Sequence, residues 1–433
     1  MKILALTVGA SPQPIVQSIQ QHRPAKVIFF VTDRPDGGSK RFVLEGDTNN
    51  PSIVQQAKLL ERQFQVVVVE QFDNFAACYD QMARTLQKAK GKRTSGEFIV
   101  DYTGGTKTMS AALATAACRF GWSLSLLEAP RSSVQQASLD GIATIQQTSS
   151  VIVDELTVRA KDLFDRGDYE GAARTVREAL GKLVLTYERR QQLQRMYDLF
   201  LALAHWDRFE YEDALKHHGA AFGMPSGLLD HLDELAKWEK EGGPAPYRLV
   251  WDLAANAERR ANQGRYEDAI LRLYRSIELI AQIRMKTQYN IDTSNIREED
   301  LDRTLDERHR ESVKKKILQH QGDKYTAGLL ASYQLLAKLE DPLGLMFKEK
   351  WERKTQEEFL PLRNKAFMTH GYRPLGEQEW ERAWEHCRAF HDDAAQALQM
   401  RLELPPQPDW EWTDPSRAKV DLRPSRKAPS GKE

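Results

Sequence analysis

The sequence predicts an α/β domain with a parallel sheet, followed by an all-α region. Three observations carry this. Over the first 150 residues short β-branched, apolar runs alternate with amphipathic stretches, and helical periodicity with few strand candidates takes over from about Val153. The segment Glu241 to Pro246, EGGPAP, then places adjacent helix breakers inside the helical part. A length of 433 residues implies two or three domains. With 41% hydrophobic and 29% charged residues, disorder, collagen-like repeats and coiled coil are excluded as the main architecture. The 62 basic and 62 acidic side chains balance, which removes any bulk electrostatic case for coating nucleic acid or an anionic membrane. Residues 1–150 carry 16 basic and 12 acidic side chains, a weak tilt toward an anionic partner.

The strand candidates are Ile3 to Val8, Val27 to Thr32, Val66 to Glu70, Phe98 to Tyr102 and Leu124 to Leu127. Strands apolar on both faces belong to a parallel sheet covered by helices on both sides, a Rossmann-like domain over 1–150. Ligands of such sheets sit beyond the carboxyl ends of the strands, so the loops after Val8, Val31, Glu70 and Tyr102 are where a site is expected. The N-terminal MKILALTVGA runs into a loop with two prolines and reads as a first strand, not a signal peptide. No apolar stretch approaches the length of a membrane span. Cys78, Cys118 and Cys387 are odd in number and widely spaced, which fits reduced core thiols in a cytoplasmic protein better than disulfides or a metal knuckle.

Residues 151–243 read as helical hairpins. Tyr-Glu-x-Ala recurs at Tyr169 to Ala172, Tyr211 to Ala214 and Tyr266 to Ala269, two copies following Gly167 and Gly264 by two residues. The spacings of 42 and 55 are too uneven for a regular solenoid. A further helical domain is expected over 244–403, with long helices from Tyr247 to Met285 and from Phe347 to Arg401. The proline-rich 404–433 reads as a flexible tail in which Trp410 and Trp412 are available to dock.

The strongest local feature is Asp101-Tyr102-Thr103-Gly104-Gly105-Thr106-Lys107-Thr108, directly after a strand candidate. Two glycines let the backbone turn tightly, and Thr106 and Lys107 open a helix whose N–H groups favour anions. Neither a Walker A loop nor a dinucleotide fingerprint is present; an ordinary strand-to-helix turn with an exposed lysine remains the alternative. A second loop, Thr7-Val8-Gly9-Ala10-Ser11-Pro12-Gln13-Pro14, opens toward the same sheet end. The third feature is Leu362-Arg363-Asn364-Lys365-Ala366-Phe367-Met368-Thr369-His370-Gly371. On one continuous helix ended by Gly371, Arg363 and His370 would project from nearly one face. A guanidinium beside an imidazole suits phosphodiester cleavage, the one stabilising charge on phosphorus and the other moving a proton. His386 and His391 lack a convincing third ligand, and neither Gly-x-Ser-x-Gly nor His-Glu-x-x-His occurs, so the expected chemistry uses no metal.

Asp101 to Ala112, with Ser11-Pro12-Gln13-Pro14, resembles the CARF domain of type III CRISPR accessory proteins. Arg363, Asn364 and His370 resemble the motif of HEPN ribonucleases, an arginine, usually followed by a polar residue, and a histidine after four to six intervening residues, here six. Arg265 to Gln282 also resembles an earlier helix of these CARF-HEPN proteins. The resemblance implies a homodimer whose paired CARF domains bind cyclic oligoadenylate as an allosteric activator, near Gly9, Ser11, Gln13, Thr103, Gly104, Gly105, Thr106 and Lys107. It implies that paired Arg363, Asn364 and His370 cleave single-stranded RNA by attack of the 2′-hydroxyl, leaving a 2′,3′-cyclic phosphate, without a metal cofactor. Two alternatives stay open: a CARF ring nuclease that degrades the cyclic activator, and a non-catalytic sensor that recruits a partner through its helices. The stretch from about Val153 to Gly243 exceeds what a minimal CARF-HEPN connection needs, and any RNA groove must be locally basic, with Lys365 and Arg373 as candidates.

Overall fold

The computed structural model describes residues 1–35, 37–46, 51–91, 96–128, 142–146, 148–183, 185–218, 223–366 and 371–414. The chain divides into two compact units, one of Met1–Val158 with Glu178–Arg190 and one of Arg159–Arg177 with Gln191–Glu433.

In the first unit a six-stranded sheet has the order β3-β2-β1-β4-β5-β6, formed by β1 (Lys2–Thr7), β2 (Lys26–Val31), β3 (Phe64–Val68), β4 (Glu97–Asp101), β5 (Ser123–Glu128) and β6 (Ile142–Gln146). The first five are parallel, with Leu4 opposite both Val27 and Ile99, and β6 returns antiparallel to β5. Each of the five expected runs forms a strand. Alternation explains why they are apolar throughout: Ile3, Ala5, Ile28, Phe30 and Val100 face helices Phe75–Lys90 and Lys107–Phe120, while Leu4, Leu6, Val27, Phe29 and Ile99 face helix Pro12–His22. Each of the larger side chains is worth about 1.5–3 kcal/mol in burial, so both helical layers are held by the same short strands. The sequence reading missed β6, whose short IATIQ pairs on one side only and leaves Ile145 exposed.

The second unit is helical. Its core joins Arg248–Asn262, Tyr266–Tyr289, Leu329–Lys338 and Glu377–Ala397 around Ile277, Tyr333, Phe347 and Phe390. Tyr333 stacks on Phe347 at 4.3 Å between ring centroids, and its hydroxyl donates to the Ile277 carbonyl at 2.7 Å. All three Tyr-Glu-x-Ala copies start helices, at Tyr169, Tyr211 and Tyr266. Gly167 and Gly264 turn into theirs with φ of 70° and 71°; the middle copy has no glycine, and Phe209 adopts the same left-handed conformation at φ 63°.

Two expectations are corrected. The helix carrying Arg363 ends at Lys365, and Ala366 is extended (φ −60°, ψ 136°) and bridged to Arg373. The Gly371 amide donates to the Ala366 carbonyl at 3.0 Å, so the Arg363 helix stops short of segment 367–370, which holds His370 and lies outside the described residues. Nor is the segment from Leu404 a free tail throughout. Trp412 is buried, Trp410 stacks on Phe200 at 5.7 Å, and Gln407 Nε2 donates to Glu258 at 2.6 Å. Residues 415–433 lie outside the described residues. Among those described, no helix is long and apolar enough to cross a membrane.

Candidate functional site

The sheet order reverses between β2 and β4 about the central β1, so the loops leaving β1 and β4 open at the switch point. The sequence places Gly9, Ser11 and Gln13 on the first of these and Thr103 to Lys107 on the second, and the structure brings the two loops into contact. A Cβ on Gly9 would lie 2.8 Å from the Gly105 amide nitrogen, one on Gly104 2.5 Å from the Thr7 carbonyl oxygen, and one on Gly105, where φ is 87°, 2.7 Å from Thr7 Cβ. Glycine is required here by close backbone approach as well as by conformation.

A polar network holds the turn. Thr7 Oγ1 and Ser110 Oγ donate to the Gly104 carbonyl at 2.5 and 2.6 Å. Buried Asp101 receives Ser18 Oγ at 2.5 Å and the Thr103 amide at 2.9 Å. Ser125 Oγ lies 2.8 Å from His22 Nε2, and burial holds that imidazole below its ordinary pKa. Thr103 Oγ1 accepts from the Leu127 amide at 2.9 Å, and Thr106 Oγ1 caps helix Lys107–Phe120 through the Met109 amide at 3.1 Å. The Thr103 and Thr106 hydroxyls are therefore committed to shaping the loop. Lys107 is exposed at the first position of the helix. Ser11 is exposed, and its side chain makes no cap bond to helix Pro12–His22; exposed Gln13 donates to Gln56 Oε1 at 3.2 Å. Sequence reasoning assigned no structural role to Thr7, Ser18 and Ser110, whose contacts depend on strand register and carry no local signal.

In the second unit Arg363 and Asn364 sit on helix Leu360–Lys365. The guanidinium lies over the Tyr274 ring at 4.8 Å and donates to Asn364 Oδ1 at 3.0 Å, so helix Tyr266–Tyr289 positions it from below. His370 falls outside the described residues. The helix is preceded by two π segments, Phe347–Trp351 and Thr355–Phe359. Pro361 lacks an amide hydrogen and its ring crowds the carbonyl four residues back, which the wider turn before it relieves. Beside the helix a cavity of about 570 Å³ is lined by Asn364, Lys365, Tyr372, Arg373, Glu379 and Arg382, with Tyr372 92% exposed. The two cations named from the sequence, Lys365 and Arg373, thus share one concavity with Arg382.

Two clusters invite a catalytic reading and do not sustain it. Cys387 Sγ lies 3.4 Å from His391 Nε2, which lies 3.0 Å from Ser276 Oγ. Burial pushes the thiol up to about 12 and the imidazole down to about 3, so both are neutral and sealed from solvent. His205, Glu210 and Asp213 converge within 4.8 Å. Glu210 is already forked by Arg208 at 2.9–3.1 Å and Asp213 is paired with Lys216 at 2.6 Å, which makes this an ion-pair cluster.

Comparison with known proteins gives matches to two family models: residues 154–234 to the Csm6 6H domain and residues 242–392 to the Csm6 HEPN domain, together more than half of the chain. Among solved structures, Enterococcus italicus Csm6 bound to cyclic hexa-2'-fluoro-hexa-dAMP shares the fold, with a TM-score of 0.62 at 15% identity over 92% of this chain and 95% of that one. Can2 from Sulfobacillus thermosulfidooxidans in complex with cyclic tetra-adenylate aligns at 13% identity over 68% of this chain and 71% of that one, with a TM-score of 0.24, too low to carry an argument. No curated protein matches the chain.

Proposed function

Since the chain belongs to the CARF-HEPN family of type III CRISPR ribonucleases, we propose that it cleaves single-stranded RNA when cyclic oligoadenylate occupies the sheet's switch point. The observation that carries this is the match of residues 242–392 to the Csm6 HEPN domain, a segment that contains Arg363, Asn364 and His370. The tight contact of Gly9 with Gly105, at the place where sheets of this kind bind ligands, supports the activator's location.

In this reading the backbone around Gly9, Gly104 and Gly105 approaches the activator closely, while Ser11, Gln13 and Lys107 offer hydroxyl, amide and ammonium groups to its bases and phosphates. Thr103 and Thr106 hold the loop's shape. A homodimer matches the symmetry of a cyclic ligand and brings two copies of Arg363, Asn364 and His370 to one RNA groove in the cytoplasm. Arg363, fixed over Tyr274, stabilises charge on the phosphorus centre, and His370 moves the proton of the attacking 2′-hydroxyl. The products are a 2′,3′-cyclic phosphate and a 5′-hydroxyl, and DNA, lacking the 2′-hydroxyl, resists. The activator acts by binding one state of the dimer more tightly than the other, so RNA that distinguishes those states must in turn tighten activator binding.

The test is fluorescent single-stranded RNA in EDTA with cyclic tri-, tetra- and hexa-adenylate added separately, wild type beside His370→Ala. Cleavage with one ring only, absent in the variant, is expected. Cleavage retained by His370→Ala removes the mechanism, and silence with every ring removes the activator assignment.

A further inference from the structure

A cavity of about 500 Å³ in the helical unit, remote in sequence from the Arg363 motif, is lined by Lys161, Phe164, Arg166, Arg259, Gln263, Gln407 and Trp410, among others. Its deepest cation is Arg259, only 4% exposed. The guanidinium donates through Nε to Asp207 at 3.1 Å and lies over Trp206 at 4.2 Å. Its two terminal nitrogens, Nη1 and Nη2, are buried with no hydrogen-bond partner among the described residues. Gln263 Nε2 and Gln407 Oε1 line the same cavity and are likewise buried without partners. Leaving a buried donor unpaired costs about 1–3 kcal/mol, and more for a charged group, so several such atoms around one cavity mark a place built to receive polar atoms.

Charge counting gives the sign of the ligand. Asp207 is shared by Arg259 and Arg260, the latter at 2.6 Å. Asp268 is shared by Arg260, Arg265 and Arg272. Four guanidiniums thus divide two carboxylates, and burial together with Arg260 lowers Arg272 to about 10. On the cavity wall itself Lys161, Arg166 and Arg259 stand against two carboxylates, Asp165, paired with Lys161 at 2.5 Å, and Asp409, whose Oδ1 accepts from the Glu411 amide at 2.9 Å. The uncompensated charge is positive, and a planar fork with two unused donor nitrogens fits phosphate oxygens.

Trp410 supplies the remaining recognition. Its ring stacks on Phe200 at 5.7 Å, meets Phe164 in a T-shaped arrangement at 5.4 Å and has Lys161 Nζ 5.7 Å from its centroid, which fixes the ring while leaving it partly exposed at the cavity, with a cation beside it. A fixed aromatic surface accepts a stacked planar ring. Gln407, anchored through Nε2 to the Ala255 carbonyl and Glu258, presents its carbonyl oxygen as an acceptor. We propose that this cavity binds a nucleoside monophosphate, its phosphate on Arg259 and its base against Trp410. The C-terminal segment from Gln407 to Trp410 is then one wall of a ligand site. The inference does not depend on the ribonuclease reading.

Isothermal titration of the full chain with 5′-UMP, and separately with inorganic phosphate at matched ionic strength, tests it. Saturable UMP binding at least tenfold tighter than phosphate is expected, weakened at least tenfold in Arg259→Lys, which keeps a charge for Asp207 but loses the fork. Trp410→Ala, which leaves the arginine cluster untouched, removes the preference for UMP over phosphate and decides the matter should Arg259→Lys fail to fold. No heat from the folded wild-type chain, phosphate binding as tight as UMP, or displacement of UMP by cyclic oligoadenylate overturns the proposal.

Discussion

Replacing His391 by glutamine keeps a polar group beside Ser276 and Cys387 but removes the one imidazole in that buried cluster. In the folded chain burial lowers His391 from 6.5 to about 3. The unfolded chain therefore binds more protons between those values, and stability rises with pH through that window and falls on acidification. From pH 7 to pH 5 the folded imidazole stays neutral while the unfolded one becomes almost fully protonated. At 1.36 kcal/mol per pH unit this loses about 2 kcal/mol, roughly a 30-fold change in the unfolding equilibrium. Burial and nearby Lys354 lower His386 to about 4, so it adds a similar loss that the glutamine variant retains. Urea unfolding read by tryptophan fluorescence is the assay, with Trp251 edge-on to His391 at 5.2 Å as an internal reporter. His391→Gln is expected to lose about 2 kcal/mol less than wild type between pH 7 and pH 5. Equal losses in the two proteins would refute the assignment of a neutral, sealed imidazole and reopen Cys387 with His391 as a reactive pair.

Gly105→Ala places a Cβ 2.7 Å from Thr7 Cβ at a φ of 87°, so activator titrations should show activation lost or moved to far higher concentration, with far-UV circular dichroism unchanged. Lys107→Ala should raise the half-activating concentration about tenfold, about 1.4 kcal/mol; an unchanged curve counts against its role. Arg363→Lys keeps the charge over Tyr274 but loses the fork, and RNA cleavage should fall roughly 100-fold with activator binding intact. Gly264→Ala meets no atom within 4 Å but must hold φ at 71°, so it should cost about 1 kcal/mol in urea unfolding through backbone conformation alone.

What could be read from the sequence was set by how local each signal is. β1, β2 and β4 were legible because a strand buried on both faces is largely apolar whatever it pairs with, and β3 and β5, which include Gln65, Ser123 and Ser125, because each still carries a short apolar run. β6 was not, since an edge strand needs only one partner and IATIQ carries little apolar weight. The Tyr-Glu-x-Ala starts were legible because tyrosine and alanine pack where the helix enters, even where Phe209 stands in place of the glycine. The end of the Arg363 helix was not. Nothing in LRNKAF forbids another turn, and what stops it is the nonlocal bridge between Ala366 and Arg373 and the return of Gly371 against Lys365. Likewise Trp410 and Trp412 sit in a segment whose composition reads as unstructured, and only packing against Phe164 and Phe200 reveals the dock.

In the switch-point loop the residues divide the work differently from their order in the sequence. Thr103, Gly104, Gly105, Thr106 and Lys107 read as one ligand-facing string, yet a hydroxyl that accepts from the Leu127 amide and another that caps a helix serve the fold first. Thr7 makes the division necessary. Its hydroxyl bonds to the Gly104 carbonyl while its own carbonyl and Cβ crowd the positions of any side chain at 104 or 105. The loops after β1 and β4 are therefore fixed against each other before any ligand arrives, and such preorganisation lowers the ordering cost of binding. On the proposed activator site this leaves backbone amides and the exposed side chains of Ser11, Gln13 and Lys107 for recognition. Thr106→Ser, which retains the cap, should accordingly change activation far less than Thr106→Val, although both alter a residue on the same loop.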